Sequence, residues 1–297
     1  DALPIFPYNR VALATGGRRA SLPVSGIELD GVVGLRSFTD AAGIKTRLAN
    51  VKNAVVIGGG FIGLEFAAVA RSLGISVVLV ETAPRLLGRS TSEIVARHIE
   101  QVHVSQGVDI RFGEQVLAMQ GTGHLQHVQL RGGAVLPADL ALVGVGMTPN
   151  VDLAVSAGLG VLDGILVDEH LRTSDPDILA LGDCARFPTD GAMVRLESVQ
   201  NATDQAKHAA ETIMGRLSPF LTAPWFWSDQ GTMKLQIAGL AQGADRHVVR
   251  GSSSAQGFSV FCFRGDRLVA VESVNRGPDH VMARRLLAAG ATLTDHQ

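Results

Sequence analysis

The chain has 297 residues, 46% of them hydrophobic and 18% charged, which suits about two folded domains and excludes a disordered chain. A net charge of −2 gives no global pull towards nucleic acid or an anionic membrane, and no apolar run approaches the roughly 18 residues of a membrane span. Two cysteines, Cys184 and Cys262, exclude a disulfide framework, a four-cysteine zinc site and a CxxC redox pair. In chain order, Arg10 to Ala14 reads as a buried strand running into a turn at Thr15-Gly16-Gly17. Ala54 to Ile57 is a Val/Ile strand, followed by glycines and a helix from about Phe61 to Leu73, with Gly74 to stop it. Ile75 to Val80 is a second apolar strand, and Ser92 to Gln106 carries Ile94, Val95, Ile99 and Val102 at helical spacing before Gly107. Strand-like stretches follow at Val108–Phe112, Val116–Met119, Leu125–Leu130 and Leu140–Val145. Met147-Thr148-Pro149-Asn150 is turn chemistry and marks a boundary. Short strands at Ile165–Val167 and Ile178–Leu181 precede a helix from about Thr203 to Arg216. From Met233 four strands and a last helix, His280 to Ala289, suggest a small α+β domain.

The strongest chemical signal is Gly58-Gly59-Gly60-Phe61-Ile62-Gly63, set between a strand and a helix. Gly58 permits the tight turn, Gly60 lets backbone reach a pyrophosphate, and Gly63 lets helix and sheet pack closely. The helix N-terminus adds amide donors and a favourable dipole for phosphate. Glu81 ends the next strand 18 residues past Gly63, where an acid would bind adenosine ribose hydroxyls. A carboxylate there repels a 2′-phosphate and favours NADH over NADPH; Arg85 and Arg89 nearby leave the second cofactor open. Ala14-Thr15-Gly16 after one strand, and Gly182-Asp183 after another, are common turns singly but fit a second nucleotide when taken in order.

Those segments, with Leu64-Glu65, Gly146-Met147-Thr148-Pro149-Asn150, Gly182-Asp183-Cys184-Ala185, Glu197-Ser198-Val199-Gln200-Asn201-Ala202 and Pro224-Trp225-Phe226-Trp227-Ser228-Asp229-Gln230, form a series. The series resembles the FAD-dependent ferredoxin reductases of bacterial cytochrome P450 and ring-hydroxylating dioxygenase systems, over essentially the whole chain. The resemblance implies an α/β fold of two Rossmann-like modules, for FAD and NAD, with a small C-terminal α+β domain. It divides the chain into a first FAD segment (1–45), an NAD domain (46–150), a second FAD segment (151–223) and a reductase C-terminal domain (224–297). It implies cofactor contacts from Thr15, Gly16, Arg36, Gly182, Asp183, Ser198 and Val199 to FAD. Asp183 would meet the ribityl chain, and the Val199 amide the pyrimidine edge of the flavin. Gly58, Gly60, Ile62, Gly63, Glu81 and Gly146 would hold the dinucleotide. Glu65 would face the nicotinamide, and Trp225 or Trp227 would lie beside the isoalloxazine. The implied activity is electron transfer from NADH through FAD to a [2Fe–2S] ferredoxin, in the cytoplasm, with no metal of its own, no nucleic acid and no membrane.

The family also begins with an earlier glycine fingerprint for the ADP half of FAD, and no second GxGxxG is present. The expectation is that on the order of a hundred residues precede Asp1, and that the end at Gln297 is early too. Other acceptors (an NADH oxidase, a rubredoxin reductase, a nitrite-reductase subunit) and a non-redox NAD-binding remnant are the alternative readings. His124 and His127 read as surface residues, Cys184 as a buried structural thiol, and Ser198 and Ser228 lack the surroundings of a nucleophile. From Gly231 onward eight Lys and Arg residues face five acids, a basic balance of +3 that would steer an acidic ferredoxin.

Overall fold

A computed structural model describes residues 7–252 and 257–290. The opening Asp1–Ile5 and the closing Asp295–Gln297 lie outside these residues. The chain forms two compact units, residues 1–18 with 147–224, and residues 19–146 with 225–297. Among the described residues no helix is long and apolar enough to cross a membrane.

In the larger unit five parallel strands lie in the order Val32–Val33, Leu140–Val143, Asn53–Ile57, Ser76–Glu81, Val108–Phe112. The central three are near-continuous apolar runs because helices and loops cover both faces, as parallel sheets require. The helix Phe61–Ser72 follows the glycine turn and buries Leu64, Phe66, Ala67 and Ala70. It stops where Gly74 takes a positive φ of 80°. The helix Glu93–Ser105 starts at Ser92, whose hydroxyl accepts from the Val95 amide. Val116–Gln120, His127–Leu130 and Val135–Pro137 form a separate antiparallel sheet of three strands.

The C-terminal part is an antiparallel sheet of five strands in the order Trp225–Gln230, Met233–Gly239, Arg267–Val274, Gly257–Arg264, Arg246–Ser252. The helix Gly277–Ala288 packs on Met233–Gly239 and Arg267–Val274. A single buried apolar cluster holds Val56, Leu64, Ala67 and Leu79 of the parallel sheet and its helix together with Met233, Leu235, Phe258 and Val260 of the C-terminal sheet. The two sheets therefore share a core. Residues 19–45 also fold with this unit: Val32–Val33 is an edge strand of the parallel sheet, and Phe38–Leu48 is a helix closed by a capping box between Ser37 and Asp40. Three N–H and O–H donors, from Ser37 and Arg36, hold the exposed Asp40 carboxyl below its ordinary value.

In the smaller unit Val11–Leu13 pairs in parallel with Ile178–Ala180. Ile165–Leu166, Ala185–Thr189 and Ala192–Val194 form a second small sheet, and the helix Val199–Ile213 buries Gln205, Ala209 and Thr212. Sequence and structure differ at three places here and at the boundary. Met147–Pro149 is a short strand, not a turn; the helix begins at Val199, four residues before Thr203; and Asp152–Ser156 is an additional short helix. His124 and His127 are exposed and Cys184 is buried, as their surroundings in the sequence suggest.

Candidate functional site

The glycine turn takes its shape from contacts that admit no side chain. Gly58 has φ 105°, and a Cβ there would lie 2.4 Å from the Gly144 carbonyl oxygen. A Cβ on Gly63 would lie 2.2 Å from the Gly58 carbonyl oxygen, so the helix meets the strand at backbone distance. Gly60 differs from both. It has nothing within 4 Å of its Cβ direction and sits at the helix N-cap in extended conformation. Open space therefore stands directly over the first-turn amides, which have no partners within the helix.

Glu81 closes the other side. One carboxylate oxygen accepts from the Gly59 amide at 2.6 Å; the other accepts from the Ala83 amide at 2.7 Å and the Thr82 hydroxyl at 3.2 Å. A carboxylate offers about four acceptor directions, so an acceptor remains for a ribose hydroxyl while the glycine turn stays braced. Gly58, Gly59, Gly60, Glu81, Arg85, Arg89, Arg131 and Gly146 line one cleft of about 560 Å³. The open question over the arginines narrows here. The Arg85 guanidinium donates to the Gly88 and Thr91 carbonyls and is held by its own loop, whereas Arg89 is exposed at the rim. Open space over amide donors, a basic rim and an acid at the strand end fit a dinucleotide with an unphosphorylated adenosine ribose. Ile62 lies on the exposed side of the helix.

Glu65 lies one turn further along the same helix, half-buried. Its carboxylate accepts from the Ser228 hydroxyl at 2.6 Å and from the Asp229 amide. Burial pushes the Glu65 carboxyl above its ordinary value, against the pull of those two donors. The strand Trp225–Gln230 divides its side chains by alternation. Phe226 stacks on Phe61 at 4.5 Å, and Ser228 and Gln230 are fully buried on the same face. Trp225 and Trp227 share the other face. Trp225 is packed between the Arg284 guanidinium at 4.4 Å and the His280 ring at 5.4 Å. Trp227 is 40% exposed and is the more accessible of the two tryptophans. Burial and the neighbouring Arg284 charge press the His280 imidazole down to about 4.

In the smaller unit Thr15-Gly16 and Gly182-Asp183 follow two adjacent parallel strands, with Leu13 opposite Ala180. They emerge together at the carboxyl ends, where ligands of open α/β sheets bind. Gly182 has φ 74°, and its amide donates to the buried Gln205 side chain at 2.7 Å. Ser198 caps the helix Val199–Ile213 through the Asn201 amide, leaving the Val199 amide without an intrahelical acceptor. Val199 itself is 71% exposed. The Thr15 hydroxyl donates to the Asn150 carbonyl at 2.6 Å, so Thr15 braces the turn. These groups can hold a flavin nucleotide by amide and carboxylate contacts. Arg36 belongs to the larger unit, exposed just before the helix Phe38–Leu48. Several cations of the basic C-terminal balance are engaged within the sheet: Arg246 covers the Phe263 ring, Arg250 and Arg276 pair with Asp279, and Arg264 donates to Gln242.

Sequence reasoning missed Ser228, Gln230 and His103 around Glu65, and the Gly59 and Ala83 amides around Glu81. Alternation in the strand was the available signal for Ser228 and Gln230; nothing local marks His103.

The pyridine nucleotide-disulphide oxidoreductase profile matches residues 4–206, and the reductase C-terminal profile matches residues 225–297. The chain is 45% identical over 293 residues to rhodocoxin reductase of Rhodococcus erythropolis, covering 98% of this chain and 69% of that protein. It is 44% identical over 292 residues to putidaredoxin reductase CamA of Pseudomonas putida, covering 94% of this chain and 68% of the relative. Rubredoxin-NAD(+) reductase of Pseudomonas putida is 37% identical over 273 residues, covering 91% of this chain and 71% of that protein. The crystal structure of the ferredoxin reductase for the CYP199A2 system of Rhodopseudomonas palustris superposes with a TM-score of 0.94 at 43% identity, covering 97% of this chain and 72% of that one. The covalent putidaredoxin reductase–putidaredoxin complex gives a TM-score of 0.94 at 41% identity, covering 97% and 71%. The chain thus belongs to the pyridine nucleotide-disulphide oxidoreductase family, among its ferredoxin reductases.

Proposed function

We propose that this chain takes electrons from NADH, passes them through FAD and delivers them to a [2Fe–2S] ferredoxin that serves an oxygenase. The observation that carries the reading is the cleft in which an open helix N-terminus, a Gly58–Gly63 turn and Glu81 converge. When bound, FAD accepts a hydride and releases electrons singly, and the protein supplies placement. The first-turn amides after Gly60 receive the pyrophosphate, Glu81 accepts from the adenosine ribose, and Glu65 faces the nicotinamide. Within the smaller unit, Asp183 and the Val199 amide would orient the flavin. The dinucleotide falls to the parallel-sheet unit, which residues 19–45 join instead of the FAD segment that the sequence suggested; 151–223 serve FAD, and 224–297 form the reductase C-terminal domain. A reductase drawing on NADH works where that cofactor is held, in the cytoplasm.

FAD retention tests the reading directly. The purified chain is incubated with excess FAD, passed through gel filtration and examined for visible absorbance, then treated with NADH without oxygen. A retained flavin band that NADH bleaches supports electron transfer by this chain; a folded protein that keeps no flavin counts against it and supports the reading as a fragment of the full enzyme. Likeness to a rubredoxin-NAD(+) reductase favours rubredoxin as the second acceptor class. Comparing ferredoxin, rubredoxin and oxygen as oxidants of the reduced protein separates them.

Cofactor choice follows from Glu81. Glu81→Ala is expected to weaken NADH about tenfold, the worth of a hydrogen bond to a charged group, and to leave NADPH weak or improved. Nucleotide titrations of both forms check it, and an unchanged preference overturns the assignment.

A further inference from the structure

Behind Glu65 a chain of buried polar groups runs into the core. Ser228 donates to Glu65 at 2.6 Å, the Gln230 side-chain amide donates to the Ser228 oxygen at 3.2 Å, and His103 Nε2 lies 2.9 Å from the Gln230 carbonyl oxygen. Ser228, Gln230 and His103 are each wholly buried. Their chemistry fixes the direction of every bond. A carboxylate only accepts, so the Ser228 proton points to Glu65. The Ser228 oxygen then accepts from the Gln230 N–H, and the Gln230 carbonyl accepts from the His103 Nε2–H. His103 thus carries a proton on Nε2, while its Nδ1 is buried with no partner to receive a second N–H. Burial lowers the His103 basicity, in keeping with a neutral ring.

We propose that Ser228, backed by Gln230 and His103, is a positioning residue that holds the Glu65 carboxylate as a fixed acceptor for the nicotinamide carboxamide. The proposal rests on the reading that Glu65 faces the nicotinamide. Three donors aligned head to tail polarise one another towards Glu65. The line joins three elements of the larger unit: the nucleotide helix, the helix Glu93–Ser105 and the first strand of the C-terminal sheet. A carboxylate on a long side chain is thus restrained at its tip as well as its base. The charged group acting on Glu65 from the packed elements is Asp229, which opposes ionisation, while the Asp229 amide and the Ser228 hydroxyl favour it.

The test compares NADH with ADP-ribose, which has the same adenosine and pyrophosphate but lacks the nicotinamide. Both are titrated calorimetrically against the purified chain and against Glu65→Gln, Ser228→Ala and the double variant. Glu65→Gln is expected to weaken NADH about tenfold and to spare ADP-ribose; Ser228→Ala should do the same, from loss of a bond to a charged group. The double variant should add nothing further, since both changes remove one interaction. If Glu65→Gln leaves NADH unchanged, the nicotinamide reading fails and the proposal with it. If Glu65→Gln weakens NADH but Ser228→Ala does not, or if the two effects add, the positioning role alone is overturned. A pH series supplies a readout that a purely structural role would not move. Loss of the Ser228 donor should shift upward, by about one pH unit, the pH below which the NADH preference disappears. Gln230→Met, which keeps the volume and cuts the line one step further back, should shift that pH in the same direction by less. Thermal unfolding of each variant separates misfolding from mispositioning, and a folded Gln230→Met with no shift counts against the relay.

Discussion

Replacing Gly63 with Ala is expected to destabilise the larger unit by about 3 kcal/mol, at the upper end of the usual cost of overpacking, and to abolish dinucleotide binding. The added methyl would lie 2.2 Å from the Gly58 carbonyl oxygen and 3.0 Å from Val56 Cγ1. The nearer obstacle is backbone within the turn and cannot rotate away, so the helix must lift from the sheet. Gly60→Ala supplies the contrast. Its φ of −83° suits any residue, and its methyl meets nothing within 4 Å. That variant should keep its melting temperature and lose NADH affinity by about tenfold or more, because the methyl occupies the space through which phosphate approaches the amides. Thermal melts and nucleotide titrations of the two variants distinguish packing from access. If Gly60→Ala binds NADH as tightly as the parent, the turn is not the pyrophosphate site.

The second large effect concerns Glu272, a fully buried carboxylate on the strand Arg267–Val274. It accepts from the Ser92 amide at 2.8 Å and from the Ser92 hydroxyl, and so fixes the start of the helix Glu93–Ser105. Glu272→Ala leaves both donors buried and unpaired beside a cavity, and is expected to cost about 3 kcal/mol. Burial drives the Glu272 carboxyl above its ordinary 4.5, while the Ser92 bonds and the Arg85 charge offset part of that rise. A raised value in the folded state has a definite sign. The stability it contributes is fully present below about 4.5 and is lost as pH rises through the folded value. Glu272→Gln keeps acceptor and shape but does not titrate. Acidification from pH 8 towards 5 should therefore raise the melting temperature of the parent relative to Glu272→Gln. The variant is compared at each pH because the buried His103 and His280 and the partly buried His98, all with lowered values, make both proteins less stable on acidification. Parallel pH curves for the two proteins would show that Glu272 keeps one charge state throughout.

Chain order and local chemistry made the nucleotide cleft legible. Gly58, Gly63 and Glu81 occupy positions that only their own chemistry permits, and all lie within one strand–turn–helix–strand unit. Elements were harder to read where the buried face is polar. The helix Val199–Ile213 buries Asn201, Gln205 and Thr212, so apolar spacing placed its start too late. Phe38–Leu48 buries Ile44 alone, so apolar spacing gives no sign of it and the sequence reading passes over this helix. In Trp225–Gln230 the inward positions Ser228 and Gln230 break the usual apolar alternation. The groups behind Glu65 are separated by 127 and 163 residues in the chain, so only the folded protein brings them together.

The core shared by the parallel and C-terminal sheets has a consequence for how such a reductase can diversify. Met233, Leu235, Phe258 and Val260 interlock with the side chains under the nucleotide helix, so the C-terminal sheet is not a cassette that can be exchanged for that of another reductase. The outer strand Arg246–Ser252, paired along one edge and largely exposed, carries the most freedom to change without disturbing the nucleotide cleft.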